Sequence, residues 1–185
     1  MKLASPWLDT LPEGAIDRRG DLPAETTAVV IGAGITGVSA AYHLARRGMH
    51  TLLVERDHLA AGATGRNAGF LIAGTVEYFD AAVARWGVTE ASAIWAFTIE
   101  NITGIKNAVA REGIDCDLQV HGHTQLASTP EEWEHLQGTA RQMLKHGLQT
   151  RVLSARGVEE ELGLTGFFGG RVQDDDATLN PAKLV

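Results

Sequence analysis

The apolar residues that follow Thr26 change their spacing twice within a short stretch. TTAVVIG at 26–32 is a β-branched run that ends in glycine, and HTLLVER at 50–56 is a second apolar run that ends in charge. Between them, ITGVSAAYHLARRG at 35–48 has a helical composition and closes on a glycine. Short β-branched runs are typical of strands, and glycine commonly follows the end of a helix. The pattern therefore predicts a strand, a helix and a second strand in direct succession.

A longer helix is predicted over 89–113, where apolar residues recur every three to four positions. These residues are Ala91, Ile94, Trp95, Ile102, Ile105 and Val109. This spacing places one apolar face on a core. Gly104 lies inside the helix, where it costs about 1 kcal/mol relative to alanine.

The next helix has a well-defined predicted start. Thr129 can cap the first turn, Pro130 fits the first helical position, and Glu132 follows three residues after the cap. We expect this helix to close at Gly147. Two strands and a short helical segment are predicted at 117–128, 149–154 and 158–163, respectively.

The two ends of the chain predict less regular structure. Residues 1–24 are rich in Pro, Gly and charge without a period, which indicates an arm leading to the first strand. Residues 164–180 form a Gly-rich stretch in which no strand is predicted. Asn180 and Pro181 form another helix start, yet only one turn can follow before Val185. We therefore expect the sequence to be a fragment of a longer chain.

Composition narrows the functional classes. The chain has 16 basic and 23 acidic residues, a net charge of -7 and no long cluster of Lys or Arg, which argues against a nucleic-acid partner. It shows no secretory signal and no apolar run long enough to span a membrane. Its one cysteine, Cys116, fits a buried apolar position in a protein of the reducing cytoplasm.

The junction between the first strand and the helix carries a GxGxxG motif at Gly32, Gly34 and Gly37. The first glycine permits a tight turn, the second lets a pyrophosphate approach the backbone, and the third lets the helix pack closely on the strand. The phosphates then lie at the helix N-terminus, where free N–H groups favour negative charge. Glu55, at the end of the second strand, is placed to accept hydrogen bonds from ribose hydroxyls. The sequence therefore predicts a Rossmann βαβ unit, with FAD and NAD both open as ligands.

The segment ATGRNAGFLIAG, which starts at Ala63, resembles the D-amino-acid oxidase-like (DAO) flavoproteins. This family includes sarcosine, glycine and γ-glutamylputrescine oxidases. The resemblance implies that Thr64, Gly65, Arg66 and Asn67 contact FAD, with Arg66 supplying charge-assisted hydrogen bonds. Some relatives attach FAD covalently through a His in this segment. Because this chain has Asn67 there, the resemblance implies non-covalent binding.

Two later segments also resemble the family. Residues 105–128 are similar to its long helix and the strand that follows, and residues 174–184 to its acidic turn before an Asn-Pro-Ala helix start. The implied fold is α/β, α+β overall, with a Rossmann-like FAD-binding βαβ unit followed by part of a substrate domain, apparently truncated. The expected divisions are an arm at 1–24, an FAD-binding segment at 25–75, part of the substrate domain at 76–176 and an incomplete returning helix at 177–185.

The resemblance implies an FAD-dependent oxidoreductase that oxidises a C–N bond of an amine or amino acid by hydride transfer to FAD. We expect this chain alone to be inactive, to associate with itself or with the missing half of the protein, and to hold no identified catalytic residue. The alternatives are a non-catalytic nucleotide-binding fragment and another FAD or NAD(P) oxidoreductase with the same start. The predicted cofactor contacts are Gly32, Gly34, Ile35, Thr36, Gly37, Glu55, Arg56, Ala63, Thr64, Gly65, Arg66 and Asn67.

Two other groups of residues are weak candidates for a metal site. His121 and His123 lie two apart on a predicted strand and so project to one face, but no third ligand is close in sequence, and we favour an ordinary half-exposed pair. Asp174, Asp175 and Asp176 cannot all face one ion without an organised loop, which favours a solvated turn. We therefore expect no metal.

Overall fold

The computed structural model describes residues 5–11 and 22–185. The elements in chain order are α1 (Pro6–Asp9), β1 (Ala28–Ile31), α2 (Ile35–Arg46), β2 (Thr51–Val54), a 3-10 turn (Ala63–Arg66), β3 (Phe70–Leu71), α3 (Phe79–Trp86), α4 (Val88–Glu112), β4 (His123–Ala127), α5 (Pro130–Lys145), β5 (Arg151–Ser154), α6 (Ala155–Leu162), β6 (Gly169–Gln173), β7 (Ala177–Thr178) and α7 (Pro181–Leu184). They form two compact units, of which unit 1 is drawn from Met1–Gly69, Val109–Leu118 and Leu179–Val185, and unit 2 from Phe70–Ala108 and Gln119–Thr178.

Unit 1 contains the predicted strand, helix and strand. β1 and β2 are parallel, with Ala28 opposite Thr51 and Ile31 opposite Val54. α2 connects them, ends at Arg46 and is followed by Gly48 at a φ of 79°, which is the left-handed conformation that a glycine after a helix commonly adopts. The predicted Rossmann-like βαβ unit is therefore confirmed.

Unit 2 is built on an antiparallel sheet in the order β4–β6–β5, accompanied by the short pair β3–β7. One buried cluster joins α3, α4 and α5 through Phe79, Trp95 and Met143. A second cluster, formed by Leu153, Val158 and Val172, packs α6 against the sheet. Since both of these clusters lie in unit 2, this unit holds a large share of the buried apolar core.

The helix signals of the second half are confirmed. The Thr129 hydroxyl accepts a hydrogen bond from the Glu132 N–H, so it caps α5 as predicted. α4 spans the predicted amphipathic helix, including Gly104, up to Glu112, and the last predicted residue, Gly113, lies beyond it at a φ of 65°. The Asn180 side chain accepts from the N–H groups of Ala182 and Lys183 and so caps α7.

Two strand predictions are wrong in part. The predicted strand over 117–128 is interrupted by Gly122, whose φ of 74° does not fit a strand, so β4 begins only at His123. The Gly-rich stretch contains β6, a fully buried strand at the centre of the sheet. Its glycines are packing positions, because a Cβ on Gly170 would lie 2.9 Å from Thr124 Cγ2 and one on Gly169 would lie 2.6 Å from Trp133 Cζ3.

The predicted arm at 1–24 is described only in part. Residues 1–4 and 12–21 lie outside the described residues, and the part at 5–11 contains the one-turn helix α1. Among the helices that the structure describes, none is long and apolar enough to cross a membrane.

Candidate dinucleotide site

The turn between β1 and α2 has the geometry that its glycines predict. Gly32 has a φ of 99°, and its N–H donates to the carbonyl of Val54 at 2.8 Å, which ties the turn to β2. A Cβ on Gly37 would overlap the carbonyl oxygen of Gly32. These two positions therefore require glycine, one for its backbone conformation and the other for the close packing of α2 on the turn.

The N-terminus of α2 presents free donors. Gly34 precedes the helix and has no side chain to cap it. The Ile35 N–H donates to Thr64 Oγ1 at 2.9 Å, so the 3-10 turn supplies one acceptor. The first-turn N–H groups of Thr36 and Gly37 have no carbonyl within the helix to bond, and the helix dipole adds positive potential. This end of α2 is therefore suited to a phosphate group.

Glu55 lies where β2 ends, beside the same turn. Its Oε2 accepts from the Ala33 N–H at 2.7 Å, and its Oε1 accepts from the Asp57 N–H at 3.0 Å. The hydrogen bond from Ala33, followed by that from Asp57, lowers the pKa of the Glu55 carboxyl. The exposed carboxylate therefore stays ionised and keeps lone pairs for further donors such as hydroxyl groups.

The 3-10 turn and the residues after it form a second wall, which we call the 63–69 loop. The Asn67 side chain donates to the carbonyls of Ala63 and Thr64 at 3.1 and 2.8 Å and accepts from the Gly69 N–H at 2.7 Å. This amide therefore holds the loop together from within. Arg66 is exposed and donates through Nε to the Ala61 carbonyl at 3.1 Å, so its terminal nitrogens can reach a ligand.

The structure brings most of the predicted cofactor contacts together. The hydrogen bonds of Ala33 with Glu55 and of Ile35 with Thr64 join the glycine turn, the end of β2 and the 63–69 loop. Gly65 is buried, and a Cβ there would lie 2.5 Å from the Ala60 carbonyl oxygen. The position therefore requires glycine, which the motif alone does not show. Arg56 is exposed at the end of β2.

Two contributors to this site were missed by sequence reasoning. Ala33 stands at an unspecified position of GxGxxG, and its role depends on its N–H rather than its side chain. Trp7 donates through Nε1 to the Asn67 carbonyl at 2.7 Å from a segment without any periodicity. Neither residue type carries a sequence signal for its hydrogen bond.

The weaker metal candidates are placed only in part as predicted, since Asp174 and Asp175 lie in an exposed turn but Asp176 does not. His121 lies outside β4, since Gly122 breaks the strand, and its Nε2 is 2.8 Å from Gln119 Oε1. Asp176 is buried and not part of a solvated turn, because its Oδ1 accepts from the Ala73 N–H at 3.0 Å. Across residues 5–11 and 22–185, no group of three His, Cys, Asp or Glu side chains is arranged to hold a metal ion.

Cys116 is buried, as predicted, and burial raises the pKa of its thiol.

Unit 2 contains a buried polar layer that sequence reasoning also missed. Arg171, only 7% exposed on β6, donates to Gln125 Oε1 at 2.6 and 3.0 Å and to Gln173 Oε1 at 3.0 Å. Its hydrogen-bond acceptors carry no charge, and burial lowers the pKa of its guanidinium. Gln173 and Thr150 also line a cavity of about 620 Å³ within unit 2.

The parallel βαβ unit, the glycine turn and the acidic end of β2 define a dinucleotide-binding protein of the Rossmann type. Residues 27–185 match the model of the FAD dependent oxidoreductase (DAO) family, and the chain belongs to this family. The predicted resemblance and the prediction of FAD as the cofactor are thereby confirmed.

Curated relatives with several named activities match the chain. It is 26% identical over 162 residues to the gamma-glutamylputrescine oxidoreductase of Escherichia coli, covering 84% of this chain and 37% of that protein. It is 41% identical over 161 residues to one of the subunits of the anaerobic glycerol-3-phosphate dehydrogenase of Escherichia coli, covering 85% of this chain and 26% of that protein.

Solved structures show the same fold at lower identity. Glycine oxidase from Bacillus cereus has a TM-score of 0.62 and 23% identity, over 86% of this chain and 41% of that one. The L-amino acid deaminase from Proteus myxofaciens has a TM-score of 0.72 and 19% identity, over 90% of this chain and 36% of that one. The chain thus spans 26–41% of the length of these four proteins.

Proposed function

We propose that the chain is the cofactor-binding part of an FAD-dependent oxidoreductase that oxidises a C–N bond of an amine or amino acid. Membership of the DAO family supports the oxidoreductase class. The names of the gamma-glutamylputrescine oxidoreductase, the glycine oxidase and the L-amino acid deaminase support a nitrogen-containing substrate. FAD, held by Glu55 and the first turn of α2, would supply the hydride acceptor for this oxidation, and water would hydrolyse the imine product.

The observation that carries this proposal is the joint position of Glu55 and the first turn of α2 at one glycine turn. Glu55 accepts a hydrogen bond from the Ala33 N–H and remains anionic and exposed. Its carboxylate can therefore also accept hydrogen bonds from both ribose hydroxyls of an ADP group. The first-turn N–H groups of α2 then face the pyrophosphate. A 2′-phosphate would meet the Glu55 charge, which favours FAD or NAD over NADP.

The 63–69 loop has three roles in this proposal. Thr64 fixes the loop to the N-terminus of α2 through the Ile35 N–H. Arg66, which is exposed and donates through Nε to the Ala61 carbonyl, supplies a positive charge for the phosphates. Asn67 stabilises the loop and cannot form the covalent flavin bond that a histidine could, so we propose that FAD is held without a covalent bond.

The two compact units follow the expected divisions only in part, because unit 1 also includes Val109–Leu118, which was expected in the substrate domain, and unit 2 begins at Phe70. We propose that unit 1, with its βαβ core, corresponds to the FAD-binding segment. Unit 2, with the antiparallel sheet, corresponds to part of the substrate domain. Because the chain spans 26–41% of these four relatives, we propose that substrate turnover requires residues beyond it.

A second candidate substrate is glycerol 3-phosphate. The curated relative with 41% identity belongs to a glycerol-3-phosphate dehydrogenase, and an L-alpha-glycerophosphate oxidase from Mycoplasma pneumoniae shares the fold with a TM-score of 0.62. Oxidation there would convert the secondary alcohol of glycerol 3-phosphate to a carbonyl and leave the phosphate ester unchanged.

The first test is flavin retention. The purified chain, incubated with excess FAD and desalted, is expected to hold about one FAD, measured by visible absorbance and by flavin release on denaturation. The same experiment with NAD is the matched control. Absence of retained FAD, or equal retention of NAD, would contradict the proposed cofactor site.

The second test separates the substrate classes. The FAD-loaded chain, alone and within the longer protein, is mixed anaerobically with a panel of amines, amino acids and glycerol 3-phosphate. Bleaching of the flavin by amines or amino acids supports C–N oxidation, whereas bleaching by glycerol 3-phosphate alone supports the second candidate. Bleaching in the chain alone would contradict the proposed need for further residues.

A further inference from the structure

The segment Ser5–Leu11 lies outside the part of the chain that matches the family, which begins at residue 27. Within unit 1 it nevertheless contacts the 63–69 loop, more than fifty residues away in sequence. The residues that make these contacts from the segment side are therefore not part of the family match.

Two side chains of this segment bind carbonyl groups of the loop. Ser5, which is 5% exposed, donates through Oγ to the Gly65 carbonyl. Trp7 donates through Nε1 to the Asn67 carbonyl at 2.7 Å. Gly65 is buried, so its carbonyl needs a donor, whereas the Asn67 carbonyl belongs to an exposed residue. Both donors come from outside the loop.

The shapes of the segment and the loop also match. A Cβ on Gly65 would lie 3.1 Å from Leu8 Cδ2, and one on Gly69 would lie 3.1 Å from Trp7 Cζ2. Leu8 and Trp7 thus fill part of the space around the two glycines. The segment therefore packs against both glycines, although the atoms closest to the two Cβ positions are the carbonyl oxygens of Ala60 and Leu179.

The segment is held at a second point. Thr10 Oγ1 accepts from Asn180 Nδ2 at 2.7 Å, and Asn180 is the buried residue that caps α7. The segment is therefore fixed at both ends, by Ser5 on the loop and by Thr10 on Asn180.

We propose that Ser5–Leu11 is a strap that holds the 63–69 loop in the conformation that binds FAD, with Ser5 and Trp7 as positioning residues. The strap binds the carbonyls of Gly65 and Asn67, while Thr64 next to Gly65 accepts from the first turn of α2. Fixing these carbonyls fixes Thr64 and Arg66 relative to the helix N-terminus. The proposal rests on the proposed function, because the loop must contact FAD for the strap to affect cofactor affinity.

The test compares Trp7→Ala, Trp7→Phe and Ser5→Ala in the 185-residue chain. Trp7→Phe keeps an aromatic ring and removes only the N–H donor. Trp86→Ala is the matched control, because Trp86 is 37% exposed and lies in unit 2. The Kd for FAD is measured by flavin fluorescence, and hydrogen exchange is followed at the Gly65 and Gly69 amides, which are bonded within or beside the loop.

We expect Trp7→Ala to raise the Kd for FAD about tenfold and each single hydrogen-bond variant to raise it about threefold. Exchange at Gly65 and Gly69 should accelerate in the same order, with no change in Trp86→Ala. Unchanged affinity and exchange in all three variants, with a wild-type chain that binds FAD, would overturn the strap and leave the proposed function intact.

Other outcomes separate the two proposals. If the wild-type chain binds no FAD, the proposed function fails. If, in addition, hydrogen exchange at Gly65 and Gly69 does not accelerate in the variants, the strap is overturned as well. If exchange in Trp7→Ala also accelerates throughout α5, the variant has lost global structure. The strap is then tested with Trp7→Phe and Ser5→Ala alone. Wild-type hydrogen exchange at Gly65 and Gly69 in both variants would overturn it.

Discussion

The two units of the molecule differ in how deeply they bury their apolar side chains. None of the twelve residues of α2 in unit 1, all of them described, is fully buried, and Val29 and Ile31 on β1 are 54% and 85% exposed. In unit 2, Phe79, Met143 and Val158 are each at most 1% exposed, within two apolar clusters. The buried apolar residues of unit 1 are mostly small, such as Ala33, Ala60 and Ala182, whereas unit 2 buries large side chains.

This contrast indicates where each unit gains stability. Parallel strands are normally covered on both faces, and the exposed side of β1 is not. Binding of FAD stabilises only the folded form of the site, so we expect the cofactor to stabilise unit 1 far more than unit 2. The predictions below are designed to change one unit while the other reports that the chain remains folded.

The largest effect is expected for Gly37→Val. A Cβ at this position overlaps the Gly32 carbonyl oxygen, so α2 must move away from the glycine turn. We expect FAD affinity to fall more than about a hundredfold, with about 3 kcal/mol lost from unit 1. Flavin retention measures the first effect and residue-level hydrogen exchange the second.

Gly104→Ala is the control for Gly37→Val. Gly104 is exposed within α4, and a Cβ there has open space, so alanine should stabilise the helix by up to about 1 kcal/mol. FAD binding should not change. If Gly37→Val bound FAD like Gly104→Ala, the close packing of α2 on the turn would not be needed.

Arg171→Met should have the next largest effect, confined to unit 2. The substitution removes the buried guanidinium and leaves the Gln125 and Gln173 side-chain oxygens without their donor. We expect a loss of about 2–3 kcal/mol in the stability of unit 2. Urea unfolding with hydrogen exchange at β6 measures it, and retained FAD shows that unit 1 is unaffected. Loss of FAD binding would show that the units do not respond separately.

Glu55→Gln should weaken the cofactor site without unfolding it. Glutamine keeps one acceptor but loses the charge and the second acceptor oxygen, so we expect the Kd for FAD to rise about tenfold. Because its hydrogen bonds lower the pKa of Glu55 below the ordinary 4.5, the wild-type advantage should persist above pH 4.5 and disappear only as the pH falls through that lowered value. An equal Kd for both proteins at pH 7 would show that the Glu55 charge and its second oxygen do not contribute to FAD binding.

The geometry of the proposed cofactor site in unit 1 was predictable from sequence because its motif is local. Gly32, Gly37 and Glu55 lie within one βαβ unit, where steric rules tie each residue type to a backbone task. The Thr129 cap of α5 was predictable for the same reason, since its bond to Glu132 spans three residues.

The parts that could not be predicted depend on distant pairings. β6 was missed because Gly169 and Gly170 suggest a loop, whereas their Cβ positions are filled by Trp133 and Thr124. Arg171 reaches Gln125 across forty-six residues, and Trp7 reaches Asn67 across sixty. No local pattern encodes such a partner, because it is selected by the packed fold.

The smallest effect is expected for Asp80→Asn in unit 2. Asp80 Oδ2 lies 2.7 Å from His135 Nε2, and Oδ1 accepts from Thr139 Oγ1 at 3.0 Å. Burial acts to raise the pKa of Asp80, but the hydrogen bonds from His135 and Thr139 prevail and lower it below the ordinary 3.8. Since the side chain is 37% exposed, solvent screening limits the expected loss to about 0.5 kcal/mol at pH 7.

The pH dependence gives this small effect a distinct sign. A lowered folded-state pKa means that the stabilisation is fully present above pH 3.8 and is lost as the pH falls through the folded value. Urea unfolding of wild type and Asp80→Asn should therefore differ at pH 7 and converge in stronger acid. Glu77→Gln is the control, because the Glu77 carboxylate pairs with Arg85, whose side chain is 62% exposed, and a smaller loss is expected. A difference that grows as the pH falls would show that Asp80 does not stabilise unit 2 through its ionised form.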